Sequence, residues 1–327
     1  MPIEPILSTI HEAQQLLSSH FPPTRLIPVN FPNAQAFLKL ETDLPTASFK
    51  PRGAFYALST NLRKRAITEV TASSTGNHGA AVAWAAKTLG IPATIFLPTN
   101  PNPVKRKRIA ELGANLIECG GQDLAHAFSE AQKYSVRPGI YFLNDATDPD
   151  LPAGSATIGL EILKQLPEVA AIYVPMGDTA LIRGVAAAVR QVNPKVKIIG
   201  VQTERAPSYY LSWRAGHAVP TETCDTCADG LATRTPEPSN VEKIRELVDD
   251  IILVNEDQML EAIRILHQRA NVIAEPAGAA ATAAFLKSNP ISTSISAQSL
   301  RYPAVLLVTG ANITDPIRQR AGLSSLQ

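Results

Sequence analysis

Cysteine is scarce. Cys119, Cys224 and Cys227 are the only three in 327 residues, too few for a disulfide framework and in keeping with a reducing compartment. Long apolar runs are missing as well. No segment approaches the roughly 20 uninterrupted apolar residues that a membrane span requires. The opening "MPIEPILSTIHEAQ" has neither a basic start nor a long apolar stretch, so no signal peptide is expected. Charge of one sign is not in excess: 30 basic against 29 acidic residues give a formal net charge of +1, which supplies no field to attract nucleic acid or an anionic membrane. No repeat of fixed period, GxGxxG or P-loop is present. These gaps leave a soluble protein, expected in the cytoplasm, with no nucleic-acid or membrane partner.

Apolar residues make up 45% of the chain and charged residues 18%, ordinary values for a globular protein long enough for two domains or one large α/β unit. Short apolar runs recur at 93–98, 171–175, 197–202, 250–254 and 304–310. Alanine-rich or amphipathic stretches alternate with them at 79–89, 103–112, 179–191, 257–270 and 277–287. Near-continuous apolar strands between helices predict parallel sheet covered on both faces, an α/β fold. Asn102 and Pro103 suit a helix N-cap and first turn, and Gly113 suits the position past its end. The low-complexity "KSNPISTSISAQSL" (287–300) reads as a surface connection. Two regions of βα pattern, roughly 54–148 and 149–327, predict two sheets with a cleft between them. The Pro/Asp-rich "NDATDPDLPAG" (144–154) marks the crossing, and such clefts commonly hold ligands.

Four loops and one lysine carry the chemical signals. In "TASFKPRGA" (46–54), Lys50 stands between Phe49 and Pro51, poor company for a lysine that only needs solvent. Arg52 adds a second cation, and Gly53 reads as a flexible hinge. "SSTGNHGAA" (73–81) follows the apolar run Val70–Ala72 and opens a helix, so Ser74, Thr75, Gly76 and Asn77 sit where free N–H groups and the helix dipole bind anions. A plain N-cap and glycine turn would look the same. "VPMGDTALIRG" (174–184) repeats the strand–glycine–helix geometry. Its amides from Asp178 to Leu181 could cradle a phosphate, but the Asp178 charge would repel one. "LLVTGANI" (306–313) leaves the Thr309 hydroxyl at a strand's carboxyl end, a ligand contact or a satisfied turn. Glu275, before the helix of "AEPAGAAATAAF", orients a ligand or merely begins the helix favourably.

Together these stretches resemble the fold type II pyridoxal-phosphate enzymes, in their serine/threonine dehydratase and serine racemase branch. "LETDLPTASFKPRGA" is similar to that family's lysine signature, and "SSTGNHGAAVAWAAKTLGIPATIFLP" to its asparagine loop and following βα unit. "FLNDATDPDLPAGSATIGLEIL", "ADGLATRTPEP", "EPAGAAA" and "VTGAN" follow in the family's order. The resemblance spans about residues 38–315. It implies two open, mainly parallel twisted sheets flanked by helices, as in the tryptophan synthase β-subunit fold, with pyridoxal 5'-phosphate in the interdomain cleft. Residues 1–53 and 149–327 would form the large cofactor-binding domain, and 54–148 the small domain carrying the carboxylate loop.

The resemblance also implies roles. Lys50, flanked by Phe49, would form the Schiff base with the cofactor and serve as nucleophile and base; burial beside Phe49 would favour its neutral amine. Asn77 would meet the cofactor's 3-oxygen, Thr309 its pyridine nitrogen, and the loop Gly177, Asp178, Thr179, Ala180, Leu181 its phosphate, with Glu275 also in the cofactor site. Ser74, Thr75, Gly76, Asn77 and His78 would surround the substrate carboxylate. The implied reaction is a dehydration of a β-hydroxy amino acid, L-threonine or L-serine first, to a 2-oxo acid and ammonia. Thr75 holds the place of a racemase serine, so a racemase is an alternative, as is a β-replacement synthase or a non-catalytic ligand-binding relative. A homodimer is implied by analogy.

Departures from the pattern carry their own expectations. The phosphate loop has Asp178 where relatives run glycines, so Asp178 must point away. Of the cation site some relatives have, only Glu204 remains, with Ser208 and Tyr210 nearby, so no metal is expected. The chain ends at Gln327 without a regulatory domain, and end-product feedback is not expected. "CDTC" (224–227) has no second pair and no histidine at zinc spacing. "KRKR" (105–108) reads as a solvated helix face, with Ile109 and Leu112 turned inward.

Overall fold

The computed structural model describes residues 4–31, 34–99, 101, 103–120, 124–289 and 303–323. Each apolar run noted above becomes a strand. In chain order the strands are β1 (Leu26–Phe31), β2 (Ala34–Leu40), β3 (Glu69–Ser73), β4 (Ala93–Leu97), β5 (Asn115–Glu118), β6 (Ile140–Phe142), β7 (Ala171–Pro175), β8 (Lys197–Thr203), β9 (Asp250–Val254) and β10 (Ala304–Val308). The helices are α1 (Leu7–Ser18), α2 (Lys50–Lys64), α3 (Asn77–Leu89), α4 (Pro103–Glu111), α5 (Leu124–Ser135), α6 (Leu151–Gln165), α7 (Ala180–Val192), α8 (Ser208–Ala215), α9 (Pro238–Leu247), α10 (Glu256–Ala270), α11 (Pro276–Ser288) and α12 (Asp315–Arg320). Among the described residues, no helix is long and apolar enough to cross a membrane.

The strands form two sheets, ordered β1-β2-β10-β7-β8-β9 and β5-β4-β3-β6. Among the described strands, β1 and β2 pair antiparallel and every other strand pairing is parallel. Central strands buried on both faces need apolar side chains on both, which is why β4 (ATIFL) and β10 (AVLLV) are buried at every position. Each such Leu, Ile or Val contributes about 1.5–3 kcal/mol by leaving water. Helix ends follow local chemistry: Asn255 caps α10 in a capping box with Gln258, and Gly90, at φ +72°, ends α3. Gly113, at φ +90°, ends the turn after α4 and donates its N–H to the Ala110 carbonyl at 2.8 Å. Asn102 and residues 290–302 lie outside the described residues, so the expected cap and most of the 287–300 connection are not described.

Two expectations need correction. Gly53 is no hinge: it lies inside α2, and a Cβ there would stand 3.0 Å from the carbonyl oxygen of Leu151, so the glycine lets α2 seat against the start of α6. The basic run on α4 is not uniformly solvated. Arg106 pairs with Glu118 and Lys107 with Glu111, but half-buried Arg108 reaches back to the side chain of Asn312. Ile109 is buried, as its place on the helix predicts.

Beneath the cleft lies a buried ionic network. Arg52 donates to Glu41 (Nε–Oε2 2.7 Å) and to Glu161 (Nη1–Oε1 2.6 Å), and Lys39 donates to Glu161 at 2.5 Å. Thr24 and Thr157 supply further partners. Two cations face two carboxylates, so the network is neutral and buried charge is compensated. It fixes α2 to α6 two residues after Lys50.

Candidate active site

Lys50 opens α2, and the chain just before it is clamped by main-chain bonds to the end of β10. Phe49 N–H donates to the Thr309 carbonyl at 3.0 Å, Ala311 N–H donates to the Ala47 carbonyl at 2.9 Å, and Ser48 bridges Gly310. The lysine therefore starts from a fixed point beside Thr309. Its ammonium stands 5.2 Å from the Phe49 ring centroid and donates to Asp145 Oδ2. Apolar dressing alone does not describe it, because a carboxylate faces the amine. Burial works against ionisation of Asp145, but Lys50, His78 and Arg183 outweigh it and hold the carboxyl down at about 2.

The four-stranded sheet brings the second wall. β3 ends at Ser73, whose hydroxyl is buried with no hydrogen-bond partner. The chain turns through Gly76 into α3, which begins at Asn77. Gly79 is required here, since a Cβ would lie 2.8 Å from the Ser74 carbonyl oxygen. The Asn77 amide donates to Glu275 Oε1 at 2.6 Å, and its oxygen accepts from Asn312 Nδ2 at 2.5 Å. Arg108 and the Thr46 carbonyl hold Asn312 in turn. His78 is buried, with Nε2 2.9 Å from the Leu143 carbonyl, to which it must donate, and Nδ1 3.5 Å from Asp145 Oδ1.

The third wall is the 177–181 loop. Gly177 has no room for a side chain, as a Cβ would come within 2.2 Å of the Gly230 carbonyl oxygen. Thr179 adopts φ +70°, a left-handed conformation that costs a β-branched residue about 1–2 kcal/mol. Its carbonyl and hydroxyl both accept from Arg183, at 2.9 and 3.1 Å. The first-turn amides of α7 have no acceptor within the helix, and Thr179, Ala180 and Leu181 line the space beside Lys50. The Asp178 carboxylate accepts from the Thr233 hydroxyl at 3.1 Å, and both residues line the cleft. Burial, and then repulsion by Asp145, push its carboxyl above the usual range.

These walls enclose a cleft of about 690 Å³ lined by Lys50, all of 74–78, Asn144, Asp145, Asp178 and Glu275, a size usual for small-molecule sites. A narrower hollow continues from it. Phe49, Lys50, Asn77, Gly177, Asp178, Thr179, Ala180, Leu181, Glu275 and Thr309 all line this hollow. Every site residue expected from sequence is thus gathered around one space. Asp145 was not expected: "NDATDPDLPAG" gave a crossing point, and its acidity was the available signal.

The remaining expectations are placed as follows. Glu204 pairs with Lys287 at 3.3 Å, the Ser208 hydroxyl donates to the Thr233 carbonyl at 2.5 Å, and Tyr210 uses its N–H on Gln202. Cys224 and Cys227 are free thiols, and burial together with Glu256 pushes Cys227 up to about 12, which keeps it protonated and unreactive.

Pyridoxal phosphate fits these residues. A lysine amine opens into the hollow beside an aromatic ring, and a helix start with a side-chain-free glycine offers amides for a phosphate. The buried, unpartnered Ser73 hydroxyl at the rim of the cleft fits a polar ligand there.

A family model described as pyridoxal-phosphate dependent enzyme matches residues 17–307. The chain is 39% identical to an L-threonine ammonia-lyase of Thermotoga maritima over 287 residues, 86% of this chain and 71% of that protein. It is 35% identical to an L-threonine ammonia-lyase of Geobacter sulfurreducens, covering 93% and 72%. Its fold superposes on maize serine racemase with a TM-score of 0.88 at 27% identity, covering 97% and 96%. A family match over most of the chain, on a fold that gathers the signature residues at one cleft, leads to one conclusion: the chain belongs to the pyridoxal-phosphate dependent enzymes.

Proposed function

We propose that this chain is an ammonia-lyase that dehydrates a β-hydroxy amino acid, L-threonine or L-serine first, to a 2-oxo acid and ammonia. The observation that carries it is the meeting of Lys50 with the α3 start and the α7 start around one cleft. The two threonine ammonia-lyases at 39% and 35% identity support the reaction class. Residues 1–53 and 149–327 form the large unit in this reading, and 54–148 the small one. A cytoplasmic setting accords with three free cysteines; a homodimer rests on resemblance alone.

Bound through Lys50, pyridoxal phosphate supplies a sink for the electrons released at Cα. The Lys50 amine takes the Cα proton, and Asp145, bonded to that amine, stabilises the ammonium that results. Amides of Thr75, Gly76 and Asn77, with the hydroxyls of Ser74 and Thr75, hold the substrate carboxylate, and buried His78 backs them. Asn77, gripped by Glu275 and Asn312, would present a fixed amide to the cofactor's ring oxygen. Phe49 would flank the cofactor ring. Gly177, Asp178, Thr179, Ala180 and Leu181 would hold the phosphate through main-chain N–H groups, with the Asp178 carboxylate kept on Thr233. Thr309 would meet the pyridine nitrogen.

Serine racemisation is the second reading, favoured by the likeness to the maize enzyme and by the Thr75 hydroxyl in the cleft. A panel of β-hydroxy amino acids assayed for 2-oxo acid, ammonia and D-isomer tests both, with Lys50→Ala as control. Product from threonine or serine that vanishes in Lys50→Ala supports the lyase. A D-isomer lost in Thr75→Ala supports the racemase. No turnover of any β-hydroxy amino acid overturns the first reading.

A further inference from the structure

Asp145 stands where neither the signature motifs nor the relatives' names place a role. Its Oδ2 accepts from the Lys50 ammonium and its Oδ1 lies 3.5 Å from His78 Nδ1, so it faces both the reacting amine and the carboxylate loop. The short loop that carries it is tied on each side. Asn144 Oδ1 accepts from Ala146 N–H at 3.0 Å, and the Ala146 carbonyl accepts from Arg183 at 3.3 Å and Asn240 at 3.0 Å. The loop carrying the carboxylate is therefore held by α7 and α9 and is not free.

An amino acid with its amine beside Lys50 and its carboxylate at the α3 amides has one substituent left, its side chain. The 144–146 loop is the wall beside both anchors. When the Lys50 amine is engaged elsewhere, Asp145 loses its donor, and a half-buried carboxylate requires a new one. Asp145 and Asp178 both line this corner, so a carboxylate set directly against Asp145 would meet like charge.

We propose that Asp145 receives the β-substituent of the substrate, restricting the site to amino acids whose β-substituent donates a hydrogen bond, hydroxyl or ammonium, and shutting out β-carboxylates. This rests on the ammonia-lyase reading and names its substrate class.

The test uses cofactor-loaded protein and has two arms. In Lys50→Ala loaded with pyridoxal phosphate, binding of L-serine, L-2,3-diaminopropionate, L-alanine and L-aspartate is measured by calorimetry. The two donors are expected to bind about 10- to 100-fold more tightly than alanine, the worth of a hydrogen bond to a charged group, and aspartate more weakly than alanine. Adding Asp145→Asn, which keeps the shape and removes the charge, narrows the gap between donors and aspartate at least tenfold. In the turnover arm, wild type eliminates from serine or diaminopropionate and not from 3-hydroxyaspartate, and Asp145→Asn lowers that discrimination. The better of the two donors assigns hydroxyl or ammonium. Unchanged ratios in Asp145→Asn, with wild-type turnover intact, overturn the role of Asp145 alone. Absence of any turnover by wild type overturns the lyase reading and this inference with it.

Discussion

Asn77 and Glu275 join the two sheets through a hydrogen bond of 2.6 Å from the amide of one to the carboxylate of the other. The contact is possible because Gly310 lies between: a Cβ there would fall 2.2 Å from Glu275 Oε1. Glu275→Ala removes the acceptor and leaves Asn77 its bond to Asn312. Cofactor affinity, read by absorbance titration, is expected to fall about tenfold, the usual cost of a lost bond to a charged group. Glu275→Gln keeps an acceptor and loses less.

Asp178 makes the opposite prediction. Its carboxyl is pushed up by burial first and by Asp145 second. A carboxyl raised in the folded state favours folding below its unfolded value near 3.9 and loses that contribution as pH rises through the folded value. Asp178→Asn removes this handicap while its oxygen still accepts from Thr233. The variant is expected to melt about 2 °C above wild type at pH 7–8, with the gain vanishing near pH 4. Scanning calorimetry across that range checks it, and tighter phosphate binding is expected alongside.

The Arg52 network sets a third. Arg52→Met strips the guanidinium from two buried carboxylates, Glu41 and Glu161, and leaves Lys39 to serve only the second. Removing one partner from such a network costs about 3–5 kcal/mol. Urea unfolding should show that loss, and Glu41→Gln in the same chain should recover part of it.

Gly184 is a fourth. On α7, a Cβ at this position would stand 2.2 Å from the Pro152 carbonyl oxygen and 2.8 Å from Ala156 N. Both are backbone atoms of α6, so no rotamer relieves the clash. Gly184→Ala is expected to yield little folded protein, judged by soluble yield and circular dichroism.

Most of the fold was legible because both of its signals are local. Strands such as AVLLV and helices such as PAGAAATAAF declare themselves by composition, and parallel pairing follows from their alternation. The loops that line the cleft were legible as motifs in order, from Lys50 through Asn77 to Thr309. What composition could not carry is the partner of each polar group. Nothing near Arg108 pointed to Asn312, 204 residues away in sequence. Gly53 looked like a hinge because its neighbour across space, Leu151, is invisible along the chain. Asp145 was hidden for the same reason: its meaning is the lysine opposite it.

The clamp between residues 47–49 and 309–311 is made of peptide groups alone. Main-chain bonds ask nothing of side chains except that no proline take a donor's place. The spacing between the amine of Lys50 and whatever residue stands at position 309 is thereby insulated from substitution. A lineage that exchanged Thr309 for another polar residue would change a group lining the hollow without moving the amine, so the clamp lets the lining of this scaffold diverge while its anchor stays still.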